Sequence, residues 1–176
     1  MMDYDKKILN GADFQGANLV GRSFKKAQLN KAICSGMLAG KGDFTEAQMM
    51  FIRMDSADCM FANFTLAIMQ HAYMPFGEFS LCDFSYADML GCKGMKSDFT
   101  ASKFSYAIMA YADFGAALFV DSNCRHADFT NASLVNVNFA GADLRNADFT
   151  GADTTGVNFE NANIKGCRGL DSTILC

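Results

Sequence analysis

The sequence predicts an all-β solenoid, a chain wound into stacked coils around a filled interior, and three observations carry that prediction. The first is a period of five. From Phe14 to Ile164 every fifth residue marks a register of 31 blocks without insertion, and 28 of them carry Phe, Leu, Met, Ile or Cys there. Ala39, Gly94 and Thr154 are the exceptions. Fourteen of the 17 Phe fall on this one position. The second observation is a small residue two places earlier. Of the 31 blocks, 26 have Ala, Gly, Ser or Cys there, and the misfits are Arg22, Met37, Ile52, Val137 and Val157. The third is likeness at a separation of twenty. One column reads Phe24, Phe44, Phe64, Phe84, Phe104, a second Met49, Met69, Met89, Met109, and a third Phe79, Phe99, Phe119, Phe139, Phe159.

Each part of a block has a physical reason. A period of five fits neither the helical repeat of about 3.6 nor the strand repeat of about 2, so the chain turns a corner in every block. The large and the small apolar residues point inward, and stacking one coil on the next buries them. Like residues then lie over like at the strand spacing of roughly 4.8 Å. The polar residue between them is most often Asp or Asn, as in Asp13, Asn18, Asp83, Asp128 and Asp148. Such side chains shape turns by bonding to nearby backbone. Gly, Asn and Asp also suit left-handed corner residues. A single Pro, Pro75, fits a backbone whose N–H groups are nearly all engaged in a ladder, and it is expected to delete one ladder donor.

The blocks ADFTN (127–131), ADLRN (142–146) and ADFTG (147–151) resemble the motif A-(D/N)-(L/F)-x-x of the pentapeptide-repeat proteins. The resemblance runs from Phe14 to Ile164. It implies a right-handed quadrilateral parallel β-helix, four blocks or 20 residues per coil, with about eight to nine uninterrupted coils at the strand spacing. The domain expectation is one unit over 1–176. Residues 1–11 form an N-terminal capping coil closed by Tyr4, Ile8 and Leu9, and 12–166 the regular repeats. Residues 167–176 form a C-terminal cap or dimerisation tail with Leu170, Ile174 and Leu175.

At 176 residues and 51% hydrophobic, the chain has ample core for one domain. No apolar run approaches the 18 or so residues of a membrane span, and MMDYDKKILNG lacks the apolar stretch of a secretory signal. A cytoplasmic protein is expected. Of seven Cys, Cys34, Cys59 and Cys124 take the large inward slot and Cys82, Cys92 and Cys167 the small one, while Cys176 stands outside the pattern. They read as reduced core thiols rather than a disulfide or metal framework. His71 and His126 fall on outward corners, away from Ser or Cys in any catalytic or ligand spacing, and the glycines are spaced as turn residues rather than as a phosphate loop. No enzyme activity, cofactor or metal is expected, and the function is a binding one.

Charge raises one binding hypothesis. Residues 1–41 are net +4 and the remainder net −8. An acidic rod suggests DNA mimicry, which the resemblance associates with gyrase-binding, quinolone-resistance members. The rod carries about one net charge per 4 Å of solenoid, against one per ~1.7 Å in duplex DNA, and the chain has none of the loops of Qnr-type members. Direct nucleic-acid binding is not expected at this sign of charge.

The second hypothesis starts from misplaced apolar residues. Residues 48–120 carry 17 large apolar side chains at outward positions, whereas the flanking repeats carry four, Val20, Ile33, Leu38 and Val135. At twenty residues per coil, Leu66, Tyr86 and Tyr106 stack along one corner. Ile68 and Ile108 lie beside them, then Met50 and Leu90, with Phe51, His71 and Tyr111 at the next corner. A looser group, Met60, Phe61, Leu81, Leu118 and Val120, lies on an adjoining side. Such patches mark interaction surfaces, although long corner side chains also shield the ladder. The face Phe51, Leu66, Ile68, Tyr86, Leu90, Tyr106, Ile108, Tyr111 is the candidate site for an unidentified protein partner. A homodimer through this face or through the C-terminal end is the alternative. Gly94 leaves an inward slot empty, and with Pro75 one coil below it predicts a bulge in the wall from Met74 to Met95, or Met95 turning inward.

Overall fold

The computed structural model describes residues 3–170. Parallel β-bridges join each residue at the centre of a side to the residue twenty further on, from Ile8↔Gln28 to Asp148↔Arg168 without a break. The register of twenty read from the Phe and Met columns is therefore the register of the coils. Each bridge is isolated, and no run of two or more strand residues occurs among the described residues. Every side supplies one bridged residue before the next corner begins, so the expected β-structure consists of short rungs rather than extended strands.

One block shows how the backbone is satisfied. The N–H groups of Phe84 and Tyr86 donate to Lys103 and Ser105 carbonyls in the next coil, at 2.7 and 3.0 Å. Asp88 N–H donates back to Ala67 O at 2.9 Å, and Ala87 N–H closes the corner onto Phe84 O at 3.0 Å. The fifth N–H, of Ser85, is left out of the ladder and donates to the Asp83 Oδ1 acceptor at 3.0 Å. The same bond recurs at Gln15–Asp13, Thr65–Asn63, Thr130–Asp128 and Thr150–Asp148, which explains why Asp or Asn precedes the inward residue. Burial acts to raise the Asp83 carboxyl, but the Ser85 hydroxyl and N–H together with Lys103 outweigh it and hold it below the usual carboxylate range.

The corner itself demands a left-handed residue. Every fifth residue from Lys6 to Gly166 has φ between +55° and +78°. Gly, Asn and Asp occupy many of these places, but Phe, Leu, Tyr, His and Lys occupy others at the same φ.

The interior is a stack of rings. Phe44, Phe64, Phe84 and Phe104 lie parallel at 4.7–4.9 Å between neighbouring centroids, and Phe84 meets Phe99 edge to face at 5.9 Å. Offset and edge-on pairs of this kind are the favoured aromatic geometries. The column Met49, Met69, Met89, Met109 is fully buried beside them. Cys34, Cys59, Cys82, Cys92 and Cys124 are buried and Cys167 half-buried, all as free thiols. Burial pushes the Cys34, Cys82 and Cys124 thiols up to about 12. Ser97, Ser102 and Ser122, buried in the small slot, donate their hydroxyls to carbonyls of Met74, Phe79 and Phe119.

Several expectations are corrected. Pro75 occupies the one place per block whose N–H is not in the ladder, so it deletes no ladder donor, and its carbonyl accepts from Ser56 N–H at 3.0 Å. The wall from Met74 to Met95 does not bulge. The bridges Tyr73↔Lys93 and Lys93↔Asp113 are intact, and Gly94 N–H reaches Asp113 O at 2.8 Å. The Gly94 slot is filled from the next coil by Phe114, whose ring lies 2.9 Å from where a Cβ would stand, while Met95 stays half-exposed. Ile8 does not close the first coil. It stands outward, 74% exposed, while Tyr4 stacks on Phe24 at 4.6 Å and Leu9 packs on the core. Leu170 also packs against the core. Ile174, Leu175 and Cys176 lie outside the described residues.

Candidate interaction face

The corner columns show where the chain departs from what its backbone favours. One column runs Lys6, Lys26, Glu46, Leu66, Tyr86, Tyr106, His126, Asn146, Gly166, and all nine have positive φ. The next runs Gly11, Lys31, Phe51, His71, Gly91, Tyr111, Asn131, Gly151, again all left-handed. Gly and Asn hold most of the C-terminal corners, and Gly holds four of the first seven. In the middle coils the same backbone carries large side chains. Left-handed φ costs a residue with a Cβ of the order of 1–2 kcal/mol, least for Asn and Asp. Phe51, Phe61, Leu66, Phe76, Leu81, Tyr86, Tyr106 and Tyr111 thus accept backbone strain while remaining about half exposed or more.

These side chains are ordered against each other. Tyr86 and Tyr106 stack at 5.1 Å, Tyr106 and His126 at 4.6 Å, and Phe51 and His71 at 5.1 Å. His71 and His126 are exposed on their corners, as expected, and each also stacks on a neighbouring ring. Gly91 interrupts the second corner, and the His71 ring leans over it, with Nδ1 2.7 Å from the place of a Cβ.

Between the two corners lies the column Ile68, Asp88, Ile108, Asp128, joined rung to rung. Ile68 and Ile108 are exposed. The Asp88 carboxylate accepts from Gln70 Nε2 at 2.6 Å and from Leu90 N–H at 3.2 Å. The register thus brings all eight predicted residues to one side, seven of them exposed and Leu90 half-buried.

The adjoining group is also present, with Phe61, Leu81 and Leu118 exposed and Met60 and Val120 half-buried. Two further exposed aromatics, Tyr73 and Phe76, stand outside both groups. Tyr73 lies under Arg53 at 5.8 Å, and Phe76, 58% exposed, under Lys96 at 5.6 Å. Their places in the five-residue register mark them as outward, and that signal finds them.

Coils in a fixed register of twenty, bonded only to their neighbours, define a solenoid repeat protein. Two family descriptions match, Pentapeptide repeat region over residues 95–168 and Pentapeptide repeats (8 copies) over residues 8–37, together more than half of the chain. The chain belongs to the pentapeptide-repeat proteins. Among solved structures it is similar to a trypsin-treated variant of QnrB1, a plasmid-mediated fluoroquinolone resistance protein, at 17% identity and TM-score 0.50, over 90% of this chain and 91% of that one. It is also similar to HetL of the cyanobacterium Nostoc sp. strain PCC 7120, a pentapeptide repeat protein involved in heterocyst differentiation regulation, at 20% identity and TM-score 0.41, over 92% and 86%. No curated protein sequence matches the chain. No helix among the described residues is long and apolar enough to cross a membrane.

Proposed function

We propose that the protein is a non-enzymatic, cytoplasmic binding protein acting by protein–protein contact through the face of Phe51, Leu66, Ile68, Tyr86, Leu90, Tyr106, Ile108 and Tyr111. This reading takes the solenoid as right-handed and four-sided, with about eight to nine coils at the strand spacing. One observation carries it. Bulky, exposed apolar residues occupy left-handed corners in the middle coils, where Gly or Asn would relieve the backbone, as they do at Asn131, Asn146, Gly151 and Gly166. A surface that is costly to maintain and apolar in character is the signature of recognition, and Tyr is a favoured anchor. The test compares wild type with a Tyr106→Glu/Ile108→Glu double variant, by affinity capture from source-cell extract and by sedimentation. Loss of the bound species or of the oligomer, with the far-UV spectrum intact, is expected. Unchanged capture together with an unchanged oligomer contradicts the proposal.

A second reading, an acidic rod that binds DNA gyrase, is favoured by the column Asp58, Glu78, Asp98. It stacks three carboxylates on successive coils, with no ion pair among the described residues. A gyrase supercoiling assay with and without a quinolone tests it. Inhibition or drug protection at micromolar protein supports this reading, and no effect at tens of micromolar removes it.

A further inference from the structure

The central column of the apolar face holds two carboxylates that the protein leaves without a cation. Asp43, Asp83, Asp143 and Asp148 on the outer surface are each paired, with Lys25, Lys103, both Arg125 and Arg145, and Arg168 respectively, at 2.6–3.4 Å. Asp88 and Asp128 have no ion pair among the described residues, as is also true of the half-buried Asp58, Asp98 and Asp113 in other columns, but Asp88 and Asp128 are the two that stand within the apolar face. Asp88 is instead fixed by the Gln70 amide and Leu90 N–H, and Asp128 by Thr130 N–H at 2.9 Å. These bonds orient the carboxylates without neutralising them. The nearby Arg125 is turned away onto Asp143 at 2.6 Å.

We propose that this face docks a basic segment of a partner protein, with one cationic side chain against Asp88, a second against Asp128, and an apolar side chain between them on Ile108. The proposal rests on the reading of this face as a docking surface and names the chemistry of its occupant. A wholly apolar partner would bury both carboxylates without compensation, at a cost that exceeds what the contact returns. Arg answers best, because its guanidinium matches a carboxylate and stacks on the Tyr86 and Tyr106 rings at the rim. A second copy fits poorly, since a two-fold axis through Asp88 or Ile108 sets carboxylate against carboxylate. Nucleic acid is repelled by the same charges.

The geometry also gives the spacing. Asp88 and Asp128 are two rungs apart, with Ile108 on the rung between, so their side chains stand about 10 Å apart along the rod. On a helix lying along the rod, residues seven apart are separated by about 10.5 Å. The occupant is therefore an amphipathic helix with Arg or Lys at i and i+7 and apolar residues at i+3 or i+4.

A random peptide library displayed on phage, selected against the immobilised full-length protein, supplies the probe. Enriched peptides are then synthesised and titrated by fluorescence anisotropy against wild type, Asp88→Asn/Asp128→Asn, and Tyr106→Glu. The Asn pair keeps the oxygen that accepts from Leu90 and Thr130, as Asn63 does for Thr65, so far-UV spectra should match wild type. Enriched peptides should carry two basic residues seven apart around an apolar one. Affinity should fall about tenfold or more, the equivalent of about 1.4 kcal/mol, with the Asn pair and with citrulline in place of Arg. Enrichment of peptides lacking the basic pair, or no enrichment, overturns the proposal. So does binding to the Asn pair within about twofold of wild type. Self-association of wild type that Tyr106→Glu abolishes and the Asn pair does not assigns the face to a second copy and also overturns it. Peptides that need Tyr106 but not the carboxylates leave the docking face standing and remove only this inference. Peptides indifferent to both remove the two together.

Discussion

The rings of Tyr86 and Tyr106, twenty residues apart, lie 5.1 Å apart with 3° between their planes, and both residues hold φ of +60°. The same step of twenty sets Phe84 on Phe104 at 4.9 Å inside the wall. One register thus builds a ladder of rings in the core and a second ladder outside it. The inner ladder stabilises the solenoid by burial. The outer one sits at a backbone conformation that disfavours it.

The inner ladder is tested by Phe84→Ala. Phe84 is fully buried between Phe64 and Phe104, so truncation should cost roughly 3–5 kcal/mol in chemical denaturation. A loss below about 1 kcal/mol would mean that the ring does not fill the core as described.

Gly94 and Pro75 make an opposed pair. Gly94→Ala puts a methyl 2.9 Å from the Phe114 ring and should destabilise by about 1–3 kcal/mol through overpacking. Pro75→Ala returns an N–H that the ladder does not use, so the unfolding free energy should change by less than about 1 kcal/mol. Equal losses from the two substitutions would contradict the description of that wall.

The buried thiols predict alkaline sensitivity. The folded values of Cys34, Cys82 and Cys124, raised to about 12 by burial, exceed the unfolded value of about 8.5. Above that lower value the unfolded chain has released protons that the folded chain still holds, so stability falls as pH rises. Each such thiol contributes fully below pH ~8.5 and loses about 1.4 kcal/mol per pH unit from there towards 12. Urea denaturation between pH 8 and 11 should show this decline, and Cys124→Ala should make it shallower. Cys34, Cys59, Cys82, Cys92 and Cys124 should also resist Ellman's reagent at pH 8 in the native protein, and rapid reaction of these five without denaturant would refute the burial.

Much of this was legible in the sequence, for physical reasons. Inward Phe and Met recur because each coil repeats its neighbour, so the period of five and the register of twenty could be read from columns such as Phe24 to Phe104. The same register placed Leu66, Tyr86, Tyr106 and Ile108 on one side. Hydrogen-bond bookkeeping was not legible. That position 75 needs no ladder N–H follows from the Ser85–Asp83 type of bond, which has no signature beyond a common Asp. Compensation between coils was hidden too, since nothing near Gly94 in sequence announces that Phe114 fills its slot. The left-handed corner is plain at Gly151 and Gly166 but disguised at Tyr86 and Leu66, where the side chain argues against the conformation it adopts. The isolation of Asp88 emerges only when the partners of the surrounding charges are known.

The most direct test of the central claim, that the outer ladder serves recognition rather than stability, is the unfolding free energy of Leu66→Asn/Tyr86→Asn/Tyr106→Asn. Asn tolerates the left-handed corner, as Asn146 does in the same column. Relief of strain, of the order of 1 kcal/mol per residue, should offset most of the lost half-buried area and stacking. The predicted change is a loss of less than about 2 kcal/mol for all three together, with binding through the face abolished. A loss above about 4 kcal/mol, comparable to removing a core Phe, would show that these side chains chiefly shield the ladder and would contradict the account.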